Sequence, residues 1–116
     1  MKASELVRRI KSNSAPLIVD ARKTKLFKES HIPGAIHAKV PWILLGKVHF
    51  PEDRTTEMVI TCEHGPRSWL AMKLLAFRGY RNMSMLEGHM LGWKKAGLPL
   101  EKQDGTRTVP PGRAGG

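Results

Sequence analysis

The fold is decided by residues 58–68, which read Met-Val-Ile-Thr-Cys-Glu-His-Gly-Pro-Arg-Ser. The first four of these residues form a short apolar run that is typical of a buried strand. The run ends at Cys62, and the apolar spacing from Trp69 to Phe77 predicts a helix that Gly79 closes. A strand, a tight loop and a helix therefore follow one another directly. The single cysteine of the chain stands at the carboxyl end of the strand.

The loop after Cys62 favours a reactive thiol. Ligands of parallel α/β sheets bind at the carboxyl ends of the strands. A helix that starts from Ser68 directs its unpaired N–H groups and the positive end of its dipole towards that point. Gly65 lets the loop curl into an anion cradle, and Arg67 adds a fork of donors for an oxyanion. The pattern indicates a nucleophilic thiolate that acts on an anionic substrate; the alternative is an inert thiol that fills the core.

The remaining apolar patterns predict an α/β domain with a mainly parallel central sheet flanked by helices. The other predicted elements are strands over residues 17–20 and 83–86 and helices over residues 3–13, 41–48 and 88–96. Ser4 is the predicted N-cap of the first helix. Large apolar residues of the two later helices are interpreted as core, namely Leu70, Leu74, Phe77, Trp69 and Trp93.

Length and composition indicate one globular domain. A chain of 116 residues can bury one real core, and 41% hydrophobic with 26% charged residues is an ordinary balance for a folded chain. No apolar run approaches the roughly 20 residues of a membrane helix, and the N-terminus has no signal-peptide pattern. A lone cysteine excludes a disulfide scaffold, and the expected compartment is the reducing cytoplasm. We expect the domain to span residues 1–102 and a disordered Gly- and Pro-rich tail to span residues 103–116.

Basic residues are in large excess. Twenty Lys and Arg against ten Asp and Glu give a net charge of +10, and eight of the basic residues lie between Lys2 and Lys28. Such a surface attracts small oxyanions, acidic proteins or nucleic acid, or is simply a solvated face. No basic-aromatic interleaving, helix-turn-helix or zinc pattern supports nucleic-acid binding. No ligand spacing among the histidines and the cysteine predicts a metal, and no cofactor is expected.

Two reactions use a cysteine in such a loop: hydrolysis of a phosphate ester and transfer of sulfur through a persulfide. The pattern of protein tyrosine phosphatases is His-Cys, five residues, and then Arg with Ser or Thr. Here four residues separate Cys62 from Arg67, and Thr61 precedes the cysteine. The shorter loop makes a smaller cradle, which fits one sulfur atom on Cys62 better than a tetrahedral phosphate. Sulfur transfer is therefore favoured over phosphate hydrolysis.

Three stretches of the chain resemble the rhodanese homology family of thiosulfate sulfurtransferases. The first contains residues 17–22, Phe27 and residues 31–35, and the third contains Glu87-Gly88, Trp93 and residues 96–99. The second, residues 62–67, has the order Cys, two residues, Gly, one residue, Arg. The likeness runs from about residue 3 to residue 101, and the three motifs together are far more specific than any one of them.

Three residues depart from the family's pattern. Ser30 stands where a glycine is usual, and Leu26 stands where an acidic residue is common. His89 replaces the second glycine of a usual Gly-Gly pair, and we interpret it as a surface residue without a role. None of these departures removes the nucleophile.

The resemblance implies a rhodanese-like three-layer fold and a two-step sulfur exchange. Cys62 would take the outer sulfur of a small anionic donor such as thiosulfate and pass it to a thiol or a sulfur-carrier protein. Arg67 would hold the sulfonate end of the donor. The persulfide would be held by the amides of Glu63, His64, Gly65, Pro66, Arg67 and Ser68. Structural support beneath the loop and at the turn before Pro33 would come from Asp20, Arg22 and His31.

A binding or relay module is the main alternative to the enzyme. In that interpretation Cys62 accepts sulfur only from a partner protein and turns over little thiosulfate. The basic N-terminal third of the chain would then be the docking surface.

Overall fold

A parallel four-stranded sheet lies at the centre of the protein. The computed structural model describes residues 1–63, 66–102 and 107–108. The strands of the sheet are β1 Leu17–Asp20, β2 Ile36–His37, β3 Met58–Thr61 and β4 Met83–Met85, in the spatial order β2-β1-β3-β4. The helices are α1 Ala3–Lys11, α2 Thr24–Glu29, α3 Val40–Leu44, α4 Pro66–Phe77 and α5 His89–Lys95. The predicted α/β class with a parallel sheet is confirmed.

Helices cover both faces of the sheet, so the domain has three layers. Side chains of successive strand residues point to opposite faces. Ile18 and Val59 therefore pack on one side in a cluster with Leu6 of α1 and Met90 and Trp93 of α5. The opposite side holds a second cluster that includes Val19, Ile60, Ile43 of α3, and Ala71 and Leu75 of α4. The sheet is thus packed against helices on both faces through two separate apolar clusters.

The chain after the sheet forms a short ribbon. β5 Leu100–Glu101 pairs antiparallel with β6 Arg107–Thr108. His31 adds a bridge to the same ribbon, because its backbone exchanges hydrogen bonds with Glu101 at 2.7 and 2.8 Å. The predicted tail over residues 103–116 lies outside the described residues except for β6, and its disorder stays a prediction. Across the described ranges, no helix has the length and apolar character needed to cross a membrane.

The N-terminus of α1 differs from its prediction. The helix begins at Ala3 with Lys2 as its N-cap, and no side chain caps it. Ser4 lies inside the first turn and so is not the N-cap. The helix ends at Lys11, two residues before the predicted end.

Helix α4 buries a different face from the predicted one. Its buried residues are Ser68, Ala71 and Leu75, which follow helical spacing. Leu70 is partly exposed and Phe77 is 92% exposed, so the prediction that both are core is wrong. Small side chains at positions 68 and 71 let the helix approach the sheet closely. Apolar periodicity had instead indicated the face of α4 that carries the largest apolar side chains.

Helix α2 was not predicted. It has only six residues and no side-chain cap, so the sequence carries little helical signal there. Its buried residue is Phe27, whose ring stacks between His31 at 3.9 Å and His37 at 4.7 Å between ring centroids. Trp42 meets His37 edge to face and lies under Lys39. These aromatic contacts hold α2 against the carboxyl end of β1.

The two predicted core tryptophans provide a matched test of the packing. Trp93 is fully buried and its Nε1–H donates to the carbonyl of Pro99 at 2.8 Å, whereas Trp69 is 54% exposed. Trp93→Ala should lower the free energy of unfolding by about 3–5 kcal/mol because it leaves a cavity. Trp69→Ala should lower it by about 1 kcal/mol or less. Urea unfolding followed by circular dichroism measures both, and similar losses in the two variants would contradict this packing.

Candidate active site

Cys62 lies at the carboxyl edge of the sheet, on the floor of a cavity. It follows β3 directly and is 1% exposed. The cavity has a volume of about 300 Å³ and is lined by Arg22, Lys23, Leu26, Cys62, Glu63, Pro66 and Arg67. Three of these side chains are cations and one is a carboxylate. The cavity therefore presents a net positive surface to whatever approaches the thiol.

The first turn of α4 stands beside Cys62. The helix begins at Pro66, three residues before the predicted start, and is long enough for its dipole to favour an anion at this end. Ser68 is fully buried, and its Oγ lies 3.6 Å from the Cys62 Sγ. Pro66 has no N–H group, so the implied amide contact from this residue is wrong. Its fixed φ suits the first position of a helix, which explains its place here.

Arg22 ties the loop to β1. It is 1% exposed, and its Nε and Nη2 donate to the Asp20 carboxylate at 2.9–3.1 Å. Nη2 also donates to the carbonyl of Ser30 at the end of α2, and Nη1 donates to Glu63 Oε1 at 3.2 Å. One buried guanidinium therefore joins the end of β1, the end of α2 and the residue after Cys62. The supporting role that the resemblance implied for Asp20 and Arg22 stays a prediction.

The Glu63 side chain faces two cations. Besides Arg22, it meets the Lys94 Nζ of α5 at 3.3 Å. Its negative charge is thus compensated on both sides, which limits its repulsion of an anionic substrate. The side chain is held in place by these ion pairs, while its backbone remains part of the loop.

Helix α5 holds the same loop through its backbone. The N–H of Met90 donates to the carbonyl of Cys62 at 3.0 Å, and the N–H of Leu91 donates to the carbonyl of Glu63 at 3.1 Å. The first N–H groups of a helix have no partner within the helix. Here the loop carbonyls satisfy them, which fixes the backbone on both sides of the Cys62–Glu63 peptide.

His89 is half-buried and lies next to Cys62. Its Nδ1 is 3.5 Å from the backbone N of Cys62 and 3.5 Å from the Ser68 Oγ. The residue has φ +49°, a left-handed conformation that a glycine adopts more readily. The sequence signal was its place directly after Gly88 at the start of α5, since that helix end packs against the loop.

The comparisons with known proteins agree with this geometry. Residues 2–96 match the model of the rhodanese-like domain. The chain belongs to the rhodanese-like domain family. It is 29% identical over 103 residues to a protein of Allochromatium vinosum named sulfurtransferase, covering 89% of this chain and 94% of that one. It is 31% identical over 87 residues to the thiosulfate sulfurtransferase GlpE of Haemophilus influenzae, covering 73% and 79%.

The fold of a solved rhodanese-like structure is also similar. The crystal structure of the Alr3790 protein from Anabaena superposes with a TM-score of 0.76 at 22% identity. The match covers 88% of this chain and 81% of that one. At this identity the likeness establishes the fold alone, and it confirms the predicted three-layer rhodanese-like architecture.

The predicted site residues did not include Lys23, which directly precedes α2, or Leu26, which lies in α2. Lys23 and Leu26 both line the cavity. The sequence predicted no site role for Lys23, and for Leu26 it indicated only a departure from the family's pattern. Both residues follow the carboxyl end of β1 within a few positions. Ligands bind at the carboxyl ends of parallel strands, so this position in the sequence is the signal that could have placed them in the site.

The remaining predicted site residues are His31, Arg67, His64 and Gly65, and they differ in burial and in whether the structure describes them. His31 is buried, its Nδ1–H donates to the carbonyl of Phe27 at 2.7 Å, and its Nε2 lies 3.7 Å from the Glu101 carboxylate. These contacts anchor the turn that precedes Pro33. Arg67 is exposed at the cavity. His64 and Gly65 lie outside the described residues, and their roles stay predictions.

Removal of the Arg22 side chain should cost far more than removal of a surface guanidinium. Arg22→Met leaves the Asp20 carboxylate, which is fully buried, without its cation, and should lower the free energy of unfolding by about 3–5 kcal/mol. Arg9→Met is the matched control because Arg9 pairs with Glu57 at a solvent-accessible position. Its effect should be much smaller. Equal urea midpoints for the two variants would show that the Asp20–Arg22 pair does not hold the site together.

Proposed function

We propose that this rhodanese-like domain is a sulfurtransferase that carries sulfane sulfur on Cys62. The donor would be thiosulfate or a persulfide, and the acceptor a thiophilic molecule such as a thiol. The observation that supports it most is the placement of the only cysteine on the floor of a positively charged cavity beside the first turn of a 12-residue helix. The names of the relatives, sulfurtransferase and thiosulfate sulfurtransferase, favour the same chemistry.

In the first step the Cys62 thiolate attacks the outer sulfur of thiosulfate. A new S–S bond forms to Cys62, and the S–S bond of thiosulfate breaks. The electron pair of that bond leaves with sulfite, so charge and atoms balance. Arg67 and Lys23 line the cavity and supply positive charge for the sulfonate group of the donor.

In the second step the acceptor takes the outer sulfur from the Cys62 persulfide. A thiolate attacks that sulfur, the S–S bond to Cys62 breaks, and its electron pair returns to the Cys62 thiolate. The persulfide anion that exists between the two steps lies near the positive end of α4 and near the Ser68 hydroxyl, which can donate to it. A bound intermediate between two half-reactions requires ping-pong kinetics.

The cavity residues also argue for a sulfur donor that carries negative charge. Its cations outnumber its one carboxylate, and Glu63 is already paired with Arg22 and Lys94. A dianion such as thiosulfate gains from this field, whereas a neutral donor does not. The expectation of a reducing cytoplasmic compartment, in which a lone thiol stays reduced, accompanies this proposal.

Thiocyanate formation from thiosulfate and cyanide tests the proposal. Cys62→Ser should abolish turnover. Arg67→Met should lower kcat/KM for thiosulfate by about 10- to 100-fold, because a charge-assisted contact with the donor is lost. Arg8→Met is the matched control, since Arg8 is exposed on α1 and does not line the cavity; its kinetics should be those of the wild type.

Two results would overturn parts of this proposal. Residual turnover in Cys62→Ser would exclude Cys62 as the sulfur carrier. Negligible turnover of thiosulfate by the wild type, with rapid loading from a protein persulfide, would identify a relay module instead of a thiosulfate enzyme.

A further inference from the structure

A second surface of the molecule combines exposed apolar side chains with basic residues. The exposed large apolar side chains of α3, of the residue that follows it and of α4 are Leu44, Leu45, Trp69, Leu70 and Phe77. We call the surface formed by these residues the α3/α4 face. None of them belongs to the lining of the Cys62 cavity. Exposed apolar groups that cluster in this way mark interaction sites.

The α4 part of this face is a continuous stripe. Trp69, Lys73 and Phe77 follow one another at intervals of four residues, so they lie on one side of the helix. The Lys73 Nζ lies 5.4 Å from the centroid of the Trp69 ring. Trp69 is 54% exposed and Phe77 is 92% exposed. Neither ring contributes to the core, so the packing of the domain does not explain why aromatic residues stand here.

The α3 part joins the stripe at its far end. The Arg78 Nη2 donates to the carbonyl of Ile43, which links the last turn of α3 to the end of α4. Leu44 and Leu45 follow Ile43 directly, and both are 65% exposed. The face therefore extends from the first turn of α4, beside the cavity, to the paired ends of the two helices.

The segments that build this face contain no acidic residue. Residues 30–51 and 64–86 together hold six Lys and Arg and no Asp or Glu. The N-terminal third, which the sequence predicts as a docking surface, also carries exposed basic side chains such as Lys2, Arg8 and Lys11, but none of the exposed large apolar side chains of the described residues lies there. Its Arg22 is buried, and its Arg9 is paired with Glu57, whose pKa is lowered by the hydrogen bonds from Arg9. The α3/α4 face is thus the basic surface on which exposed large apolar side chains cluster.

The face is continuous with the cavity. Helix α4 starts at Pro66, which lines the cavity together with Arg67. Trp69 stands one turn further along, and Phe77 lies about 16 Å from the start of the helix at 1.5 Å per residue. A protein segment of ordinary length that lies along the stripe can therefore place one residue at the cavity.

We propose that the α3/α4 face binds an acidic protein segment that carries the acceptor thiol to Cys62. This inference rests on the proposed function. Apolar side chains of the segment would cover Trp69 and Phe77, and its carboxylates would meet Lys73 and its basic neighbours. The thiolate of the segment attacks the outer sulfur of the Cys62 persulfide. The S–S bond to Cys62 breaks, the electron pair returns to the Cys62 thiolate, and the segment leaves as a persulfide.

Charge favours this occupant over a second copy of the chain. Each copy carries a net charge of +10, so two basic faces repel each other. Acidic segments are attracted, and the attraction falls as salt screens it. An anionic lipid surface also attracts a basic face, and the experiment distinguishes it.

The test compares the rates at which two synthetic peptide thiols react with the Cys62 persulfide form of the intact chain. Both peptides end in Gly-Gly-Cys; one carries Asp, Leu and Phe, and the other has Lys in place of every Asp. The rate of loss of cyanolysable sulfur is measured at low and high salt. The acidic peptide should react about tenfold faster at low salt, and the advantage should shrink as salt rises.

Two double variants locate the effect. Lys73→Glu with Phe77→Ser alters the face, and Lys95→Glu with Ala96→Ser makes the same change in charge and adds a serine at the C-terminal end of α5, away from the residues that hold the loop. The face variant should lose most of the tenfold advantage and retain wild-type thiocyanate formation from thiosulfate and cyanide. The α5 variant should retain both activities. Circular dichroism and urea midpoints confirm that both variants are folded.

The outcomes separate the two proposals. If thiosulfate fails to load Cys62, the proposed thiosulfate reaction fails before docking is tested, and a persulfide donor is used for loading. If loading succeeds but the two peptides react equally, or both double variants lose the advantage equally, the docking surface is wrong. Sedimentation with phosphatidylglycerol vesicles that depends on Lys73 and Phe77, without any peptide preference, would assign the face to a membrane surface and overturn the proposal.

Discussion

The buried ion pair between Asp20 and Arg22 is the interaction on which the active-site geometry depends. Both side chains are almost fully inaccessible to solvent, and removal of two charges from water costs several kcal/mol. The cost is offset only because the guanidinium also donates to Ser30 and Glu63. A point charge on a lysine would not reach all of these acceptors. The pair therefore fixes the conformation of the chain at the end of β1, and through the Arg22–Glu63 contact it also fixes the position of the Glu63 side chain.

The thiol is held from three directions as a consequence. Arg22 reaches Glu63 from β1, the backbone of α5 donates to the carbonyls of Cys62 and Glu63, and Ser68 places its hydroxyl beside the sulfur from α4. Positional restraint of this kind is what nucleophilic catalysis needs, because a small displacement of the reacting atom costs much of the rate. The paired state of Glu63 also matters, since a lone carboxylate at this place would repel an anionic donor.

The sequence predicted the parts of this site that local pattern controls. β1 and β3 are short apolar runs with clear ends, and both have the predicted bounds. Cys62, Arg67 and the helix after them are consecutive in the chain, so their proximity follows from the order of elements. The family resemblance added the three-layer fold, which the structure and the comparisons confirm.

Tertiary packing controls the parts that the sequence did not predict. The inward face of α4 is set by small residues such as Ala71, which apolar periodicity ranks below Leu70 and Phe77. Helix α2 is stabilised by the stacking of Phe27 between two histidines that come later in the chain. His89 reaches Cys62 across 27 positions of sequence, and only the packing of α5 against the loop reveals that contact.

The most direct measurement is the intact mass of the protein after incubation with thiosulfate, with Cys62→Ser as the partner sample. A sulfur carrier on Cys62 gains the mass of one sulfur atom in the wild type alone, and cyanide removes it. No gain in the wild type, or an equal gain in Cys62→Ser, would contradict a thiosulfate-loaded persulfide on this cysteine.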